Sequence, residues 1–410
     1  MSRLRFCFFT TFYPPFNFGG DGIVVERLAR ALVARGCDVT VVHDLDAYRA
    51  LRRGPDPRVP EPDLPGLRII SLESRLGRLS LLLSHQCGRP VVHARRIRRI
   101  LRDGDFDVLT FHNVSLLGGP GLLRFGGNTP KIYMAHEHWL VCPTHTLWRH
   151  NRELCTGRQC LRCTLRYRRF PQLWRWTGHL RRQSRHVDTF IAMSEFSRQK
   201  HREFGFDRPM EVLPCFLPPA RPVADGACES SPHPRPYFLY VGRLERLKGV
   251  DDVLTAFEQY AGADLLIAGD GDYGATLRRR ASDNTRVVFL GRVEREPLDR
   301  YYRHAVALIV PSVCYETFGV ITLEAFQHRT PVIARRLGPL PDIVDGAGGG
   351  ELFDTCDELV SAMERLQADP PGRRALGEAG FRAYETHYSE SVVVPRFLEL
   401  VRRAIDRAGA

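Results

Sequence analysis

Two carboxylates eight positions apart, Glu316 and Glu324, bracket the segment Glu316-Thr-Phe-Gly-Val-Ile-Thr-Leu-Glu324. The segment lies between an apolar strand candidate that ends at Pro311 and a helix expected to begin near Gly319. The first N–H groups of such a helix have no intrahelical partner, and with the helix dipole they form a ready anion site. Gly319 leaves the backbone free to approach a ligand closely. Glu316 falls just before the helix and Glu324 about one and a half turns inside it, so both can address one crevice at different depths. Carboxylates so placed suit paired sugar hydroxyls, as the acidic residue on the ribose does in dinucleotide folds. By spacing alone, a helix whose glutamate complements the dipole would look the same. Val241-Gly-Arg-Leu-Glu-Arg-Leu-Lys-Gly249 separates the two readings, because Arg243 and Lys248 follow the first strand of the same half and can converge on that helix start. Two cations and open amides are what a diphosphate leaving group needs in the absence of metal.

These groups need a scaffold, and the hydrophobic pattern provides one twice. Leu4–Thr10 reads as a buried strand, followed by a Pro, Phe and Gly loop from Tyr13 to Gly22. Val24, Leu28, Ala31 and Leu32 then share one helical face, Gly36 suits the helix end, and Asp38–His43 is the next strand. Strand, glycine loop, helix and strand make a βαβ unit and open a parallel sheet. Leu67–Ser71, Val108–His112, Lys131–Ala135 and Thr189–Met193 continue it. Each ends near a polar residue on the side where open α/β sheets bind ligands. Residues 214–236 carry seven prolines and no periodicity, the mark of an interdomain connection. The alternation restarts with Tyr237–Val241, Leu265–Ala268, Val287–Leu290, Ala307–Val310 and Pro331–Ala334. From about Ser389 an amphipathic helix turns Val392, Val393, Phe397, Leu400 and Val401 inward.

Length and composition agree with two α/β domains. The chain has 410 residues, 43% hydrophobic and 26% charged, which excludes wholesale disorder and fibrous repeats. No apolar run approaches the ~18 residues of a membrane span, and the N-terminus lacks a signal-peptide pattern. The expectation is a cytoplasmic protein, soluble or peripheral at the inner face of the membrane. The formal charge of +12 is carried by arginine, since only Lys131, Lys200 and Lys248 among 59 basic residues are lysine. Codon usage in a GC-rich genome accounts for such a skew; attraction to anionic head groups, nucleotides or nucleic acid is the other reading. Eleven cysteines without an export signal predict reduced thiols.

Gly242-Arg243 with Lys248-Gly249, Ala268 to Gly271, Leu290-Gly291, Pro311-Ser312 and Glu316 to Glu324 stand in an order and spacing that resembles the retaining GT-B glycosyltransferases, group 1 (family 4). The resemblance covers the second half strongly and reaches the first through Gly19-Gly20, His136-Glu137 and Ser194-Glu195-Phe196. It implies an α/β fold of GT-B type, with two Rossmann-like doubly wound parallel-sheet domains facing across a cleft. Residues 1–215, with a cysteine-rich insertion at about 142–163, would form the acceptor-side domain, joined by the C-terminal helix 389–410. Residues 236–388 would bind the nucleotide-sugar donor. Transferred onto matching positions, Arg243 and Lys248 bind the donor diphosphate, and Phe318 and Gly319 offer backbone amides. Glu316 holds donor-sugar hydroxyls, and Glu324 the ribose. Gly20 allows close approach to the phosphates, and His136 lies at the reacting centre. His112 and His138, also near strand ends, could take the place of His136. The implied reaction is sugar transfer with retention to a glycan, lipid-linked or small-molecule acceptor, with no catalytic metal. A nucleotide-sugar epimerase on the same architecture is the enzymatic alternative. Two departures stand out: His136 is followed by Glu where the family often has Asp, and Cys215-Phe216 replaces a common Asn-Gly.

Gly269-Asp-Gly-Asp-Tyr-Gly274 matches G-x-G-x-x-G between a strand and a helix, so a dinucleotide oxidoreductase must be weighed against a turn beside the nucleotide site. Cys142-x12-Cys155-x4-Cys160-x2-Cys163 has the spacing of a structural zinc site, an iron–sulfur cluster being the less favoured occupant. Arginine-rich segments at 89–102 and 149–185, the latter with Tyr167, Phe170, Trp174 and Trp176, suit an anionic membrane surface. Nucleic-acid binding through a metal knuckle is the competing class and is not expected, because it leaves residues 243–324 unexplained.

Overall fold

The computed structural model describes residues 3–52, 54–58, 64–220 and 230–409. The chain divides into two compact units: residues up to Thr146 with Arg158–Cys215 and the chain from Val393 onward, and Leu147–Gly157 with Phe216–Val392.

The first unit is built on seven strands: β1 (Arg5–Phe9), β2 (Asp38–Asp44), β3 (Leu67–Leu72), β4 (Val108–Phe111), β5 (Lys131–Ala135), β6 (Thr189–Ala192) and β7 (Met210–Val212). They lie in the order β3-β2-β1-β4-β5-β6-β7 with every pair parallel. Runs such as Phe6-Cys7-Phe8-Phe9 are wholly buried, as expected of a sheet covered on both faces. Phe9 stacks on Phe111 at 5.5 Å in its core. The first crossover helix, α1 (Gly20–Val33), buries Val24, Val25, Leu28, Ala31 and Leu32, the stripe legible in the sequence.

The second unit repeats the plan with β8 (Tyr237–Val241), β9 (Asp264–Ala268), β10 (Val287–Gly291), β11 (Leu308–Val310), β12 (Val332–Arg335) and β13 (Gly350–Phe353). Their order is β10-β9-β8-β11-β12-β13, again all parallel. Two doubly wound Rossmann-like sheets are therefore present, as the alternation predicted. Sequence reading missed β7 and β13, which are three and four residues long. Runs so short carry too little periodicity to separate from loop.

The middle of the proline-rich stretch, residues 221–229, lies outside the described residues. Its start is well held: the Leu217 amide donates to the Tyr388 carbonyl at 3.2 Å and the Glu390 amide to the Leu217 carbonyl at 3.1 Å. The Gln327 side-chain amide donates to the Pro218 carbonyl at 2.7 Å. The final helix spans Glu390–Gly409, and Val393, Val394, Phe397, Leu400, Val401 and Ala404 are its buried stripe. Phe397 packs on Phe6 of β1 at 6.3 Å. Among the described residues, no helix is long and apolar enough to cross a membrane.

In each sheet the strand order reverses beside the first strand, between β1 and β4 and between β8 and β11. A crevice opens outside the carboxyl ends of the strands at such a switch point, and there open α/β sheets take their ligands. The loops that follow β8 and β11 begin at Gly242 and Pro311. They carry Arg243, Lys248, Glu316, Phe318 and Gly319.

Candidate functional site

In the second unit the two switch-point loops are laced together. After β8 the chain makes a tight 3-10 turn, Arg246–Lys248, and Gly249 closes it with φ 71°. A Cβ on Gly249 would lie 2.1 Å from the Pro311 carbonyl oxygen, so only glycine permits this approach. The Val313 amide donates to the Leu247 carbonyl at 3.0 Å, a second tie between the loops. The result is a contact of 2.6 Å between Lys248 Nζ and Glu316 Oε1, and the Ser312 hydroxyl donates to the same oxygen at 2.8 Å. Only 22% of the Lys248 side chain and 20% of the Glu316 side chain is exposed. Burial works against both charges, but each outweighs it for the other. The ammonium is held above its ordinary value and the carboxyl below its own.

Arg243 is more exposed and pairs with Glu245 at 2.7 Å. Its charge also helps to keep Glu316 ionised, so both cations bear on one carboxylate. Gly319, with φ 97°, opens α2 (Val320–Gln327), and no side chain caps that helix start. Phe318 is buried and meets Tyr388 edge-on at 5.8 Å, which anchors the turn. Glu324, farther along α2, accepts from the Tyr302 hydroxyl at 3.2 Å, and Tyr302 stacks on His328 at 5.7 Å. The structure thus brings Arg243, Lys248, Glu316 and the amide turn of Phe318 and Gly319 into one neighbourhood, with Glu324 one turn deeper. Such a site can bind an anion through ammonium, guanidinium and helix start, and polar hydroxyls through its carboxylates.

The glycines of the G-x-G-x-x-G segment serve this loop. A Cβ on Gly269 would lie 1.9 Å from the Gly242 carbonyl oxygen, and one on Gly271 would lie 2.4 Å from that of Leu244. The Leu244 amide donates to the Asp270 carbonyl at 2.9 Å and the Tyr273 amide to the Leu244 carbonyl at 3.0 Å. The segment is a buttress against which the loop of Arg243 packs.

In the first unit, Gly20 begins α1 and is exposed; a Cβ there would meet nothing within 4 Å. Asp21, in the same first turn, accepts from the Asn113 side-chain amide at 3.1 Å. His136 follows β5, and its Nε2 lies 2.9 Å from Nδ1 of His112, which follows β4; the rings stack at 5.2 Å and 15°. Burial lowers both imidazoles, His136 to about 4 against a nearby Asp21 that works the other way. Glu137, which stands where the family often has Asp, pairs with His145 at 2.7 Å. His138 is buried against the ring of His201 at 5.3 Å. The His112–His136 pair was not foreseen, although both residues directly follow strands that a doubly wound order sets side by side.

The four cysteines are placed unequally. Cys142 and Cys163 are buried, while Cys155 and Cys160 are partly exposed. Cys142, Cys160 and Cys163 belong to the first unit, whereas Cys155 is grouped with the hairpin Trp148–Arg149 and Glu153–Leu154 in the second. Burial raises the Cys160 thiol, and the sulfurs of Cys142 and Cys163 add to it. No three of these sulfurs lie within 4.8 Å of one another. Among the described residues, the group that meets that spacing is Asp44, Asp46 and His93.

A family profile described as "Glycosyl transferases group 1" matches residues 228–383, and one described as "Glycosyltransferase Family 4" matches 18–221. An uncharacterized glycosyltransferase of Methanocaldococcus jannaschii is 38% identical over 167 residues, 39% of this chain and 40% of that protein. A GDP-mannose-dependent monoacylated alpha-(1-6)-phosphatidylinositol monomannoside mannosyltransferase of Corynebacterium glutamicum is 29% identical over 54% of this chain and 64% of its own length. The chain thus spans about half the length of these curated relatives. Among solved structures, the sucrose-phosphate synthase of Thermosynechococcus elongatus superposes with a TM-score of 0.74 over 99% of this chain and 100% of that one, at 23% identity.

Proposed function

The chain belongs to the group 1 glycosyltransferases of family 4, and from that premise we propose that it moves a sugar from a nucleotide-diphosphate-sugar donor to a glycan, lipid-linked or small-molecule acceptor with retention of configuration. The observation that carries the reading is the Lys248–Glu316 pair at 2.6 Å, set beside an uncapped helix start at the switch point of the second sheet. Arg243 and Lys248 neutralise the donor diphosphate as it becomes the leaving group. Glu316 holds sugar hydroxyls and in turn keeps Lys248 charged. Glu324, oriented by Tyr302, receives the ribose. On the front face, the bond from the anomeric carbon to the phosphate oxygen breaks, the acceptor oxygen bonds to that carbon, and the acceptor proton passes to the departing phosphate. The protein positions and stabilises charge in this scheme, without a covalent nucleophile.

Thermal-shift measurement with UDP-, GDP- and dTDP-sugars tests the donor class: a selective rise in Tm identifies the base. The M. jannaschii and C. glutamicum relatives support transferase chemistry, and because the latter is GDP-mannose-dependent, GDP-mannose is among the donors to include. NMR of the product anomer decides retention. Consumption of donor with no acceptor present would favour the epimerase instead.

For the acceptor side, the same proposal includes docking on an anionic membrane surface. The helix Ala94–Gly104 keeps Ile97 buried and turns Arg95, Arg96, Arg98, Arg99 and Arg102 outward. Leu165, Phe170, Leu173 and Trp176 are exposed among further arginines. Cosedimentation with phosphatidylglycerol vesicles, lost in high salt and absent with phosphatidylcholine, is expected. From their spacing in the sequence, Cys142, Cys155, Cys160 and Cys163 are proposed as ligands of a structural zinc ion, a role of shape and not of chemistry.

A further inference from the structure

We infer that Tyr388 is a positioning residue for the candidate site: its ring fixes the amide turn of Phe318 and Gly319 and ties that turn to the segments by which the chain enters and leaves the second unit. The inference rests on the donor reading only for what the turn receives. The turn opens α2 without a side-chain cap, and an uncapped helix start frays unless tertiary contacts hold it. Those contacts fall on both of its residues. The buried Phe318 ring is met edge-on by Tyr388 at 5.8 Å and 70°. A Cβ on Gly319 would lie 2.9 Å from Cδ2 of the fully buried Leu340. A turn packed at each residue presents its N–H groups in one direction, which is what binding of a phosphate through main-chain amides requires.

Tyr388 is itself anchored through its backbone. It ends the π-helical turn Tyr384–Tyr388, its carbonyl accepts from the Leu217 amide at 3.2 Å, and the Leu217 carbonyl accepts from the Glu390 amide at 3.1 Å. The main segment of the second unit begins at Phe216 and ends at Val392, so these bonds join the two crossings of the chain. The far end of α2 is fastened to the same place. The buried Gln327 side-chain amide donates to the Pro218 carbonyl at 2.7 Å and to the Tyr384 hydroxyl at 2.8 Å, and that hydroxyl donates to the Pro218 carbonyl at 3.2 Å. With eight residues, α2 is only about 12 Å long. A helix this short, pinned at both ends, moves as one body with residues 217–218 and 384–390. Removing the Tyr388 ring releases one end alone, the end that carries the first N–H groups.

The test compares wild type, Tyr388→Phe and Tyr388→Ala in the full chain. Tyr388→Leu, which keeps apolar bulk without the ring, replaces the alanine variant should that one not fold. The Thr322 amide donates to the Gly319 carbonyl at 3.0 Å, so its hydrogen exchange in the ligand-free proteins reports whether the turn is held. Exchange should be about tenfold faster in Tyr388→Ala, as for an opening made easier by one hydrogen bond. It should be unchanged in Tyr388→Phe, because the contact is between rings. UDP and GDP are the binding probes. The one that binds wild type should bind Tyr388→Ala about tenfold more weakly, the loss of roughly one hydrogen bond to a charged group, and Tyr388→Phe should restore it. A lower Tm with Thr322 exchange and Kd both unchanged is the mark of plain packing and would overturn the inference, as would a weakened Kd that phenylalanine does not restore. If neither nucleotide binds wild type while Thr322 responds as expected, the positioning role stands and the donor reading falls.

Discussion

Replacing Lys248 by methionine removes the ammonium while keeping most of its stem, and leaves Glu316 ionised with only 20% of its side chain exposed. At 2.6 Å and an effective dielectric near 20, the lost attraction is about 6 kcal/mol before desolvation is subtracted. Desolvation of two ions at this depth cancels most of that, so the pair should couple by about 1–3 kcal/mol. Lys248→Met alone should cost about 3 kcal/mol, more than the coupling, because it strands a carboxylate. Glu316→Gln should cost less, and the double variant less than the sum of the two. Urea unfolding of the four proteins at pH 7.5 closes the cycle. A coupling within about 0.3 kcal/mol of zero would refute the argument that the two loops are organised around this contact. The pH dependence has a definite sign. Glu316, with a depressed carboxyl, stabilises above the ordinary carboxylate range, and that contribution disappears as pH falls through its lowered value. Lys248, with a raised value, stabilises across neutrality and loses its contribution only as pH rises through the raised value. Turnover of each single variant should fall by about 10²–10³-fold, the usual loss for one group that stabilises transition-state charge.

Four further outcomes are expected. Gly249→Ala should lower stability by about 2–4 kcal/mol, because its Cβ would meet the Pro311 oxygen at 2.1 Å in a left-handed conformation. Gly20→Ala should unfold with the wild-type urea midpoint, since nothing lies within 4 Å of the new methyl, yet raise KM for donor if phosphate approaches that backbone. His136, with a folded value of about 4 against the ordinary 6.5, stabilises fully above 6.5, and loses that contribution as pH falls toward 4. His136→Gln should therefore flatten the slope of stability between pH 6.5 and 4. Cys160→Ser should lower both zinc content and Tm; wild-type protein that is zinc-free by elemental analysis yet equally stable would end the zinc proposal.

The switch-point cluster of the second unit was legible in the sequence because its determinants are local. Glu316, Phe318, Gly319 and Glu324 sit on one turn and the helix after it, and Arg243 to Gly249 on one loop. A parallel sheet then needs only its switch point to join them. What remained hidden depends on strand neighbours. His112 and His136 are 24 positions apart and meet only because β4 lies beside β5. The role of Gly269 and Gly271 is equally non-local, since what limits their size is the backbone of residues 242–244. Cysteine spacing is a signal of another kind: it shows how many residues separate thiols along the chain and nothing about how the intervening hairpin directs Cys155.

The interlocking of backbone around Gly242, Gly249 and Gly269 has an evolutionary corollary. Contacts made by main-chain atoms do not depend on which side chains decorate the neighbouring turns. Asp270, Asp272 and residues 292–294 can therefore vary in type while the cationic grip beside them keeps its shape. A descendant enzyme could exchange one carbohydrate for another by altering those turns, and would need to rebuild neither the sheet nor the grip.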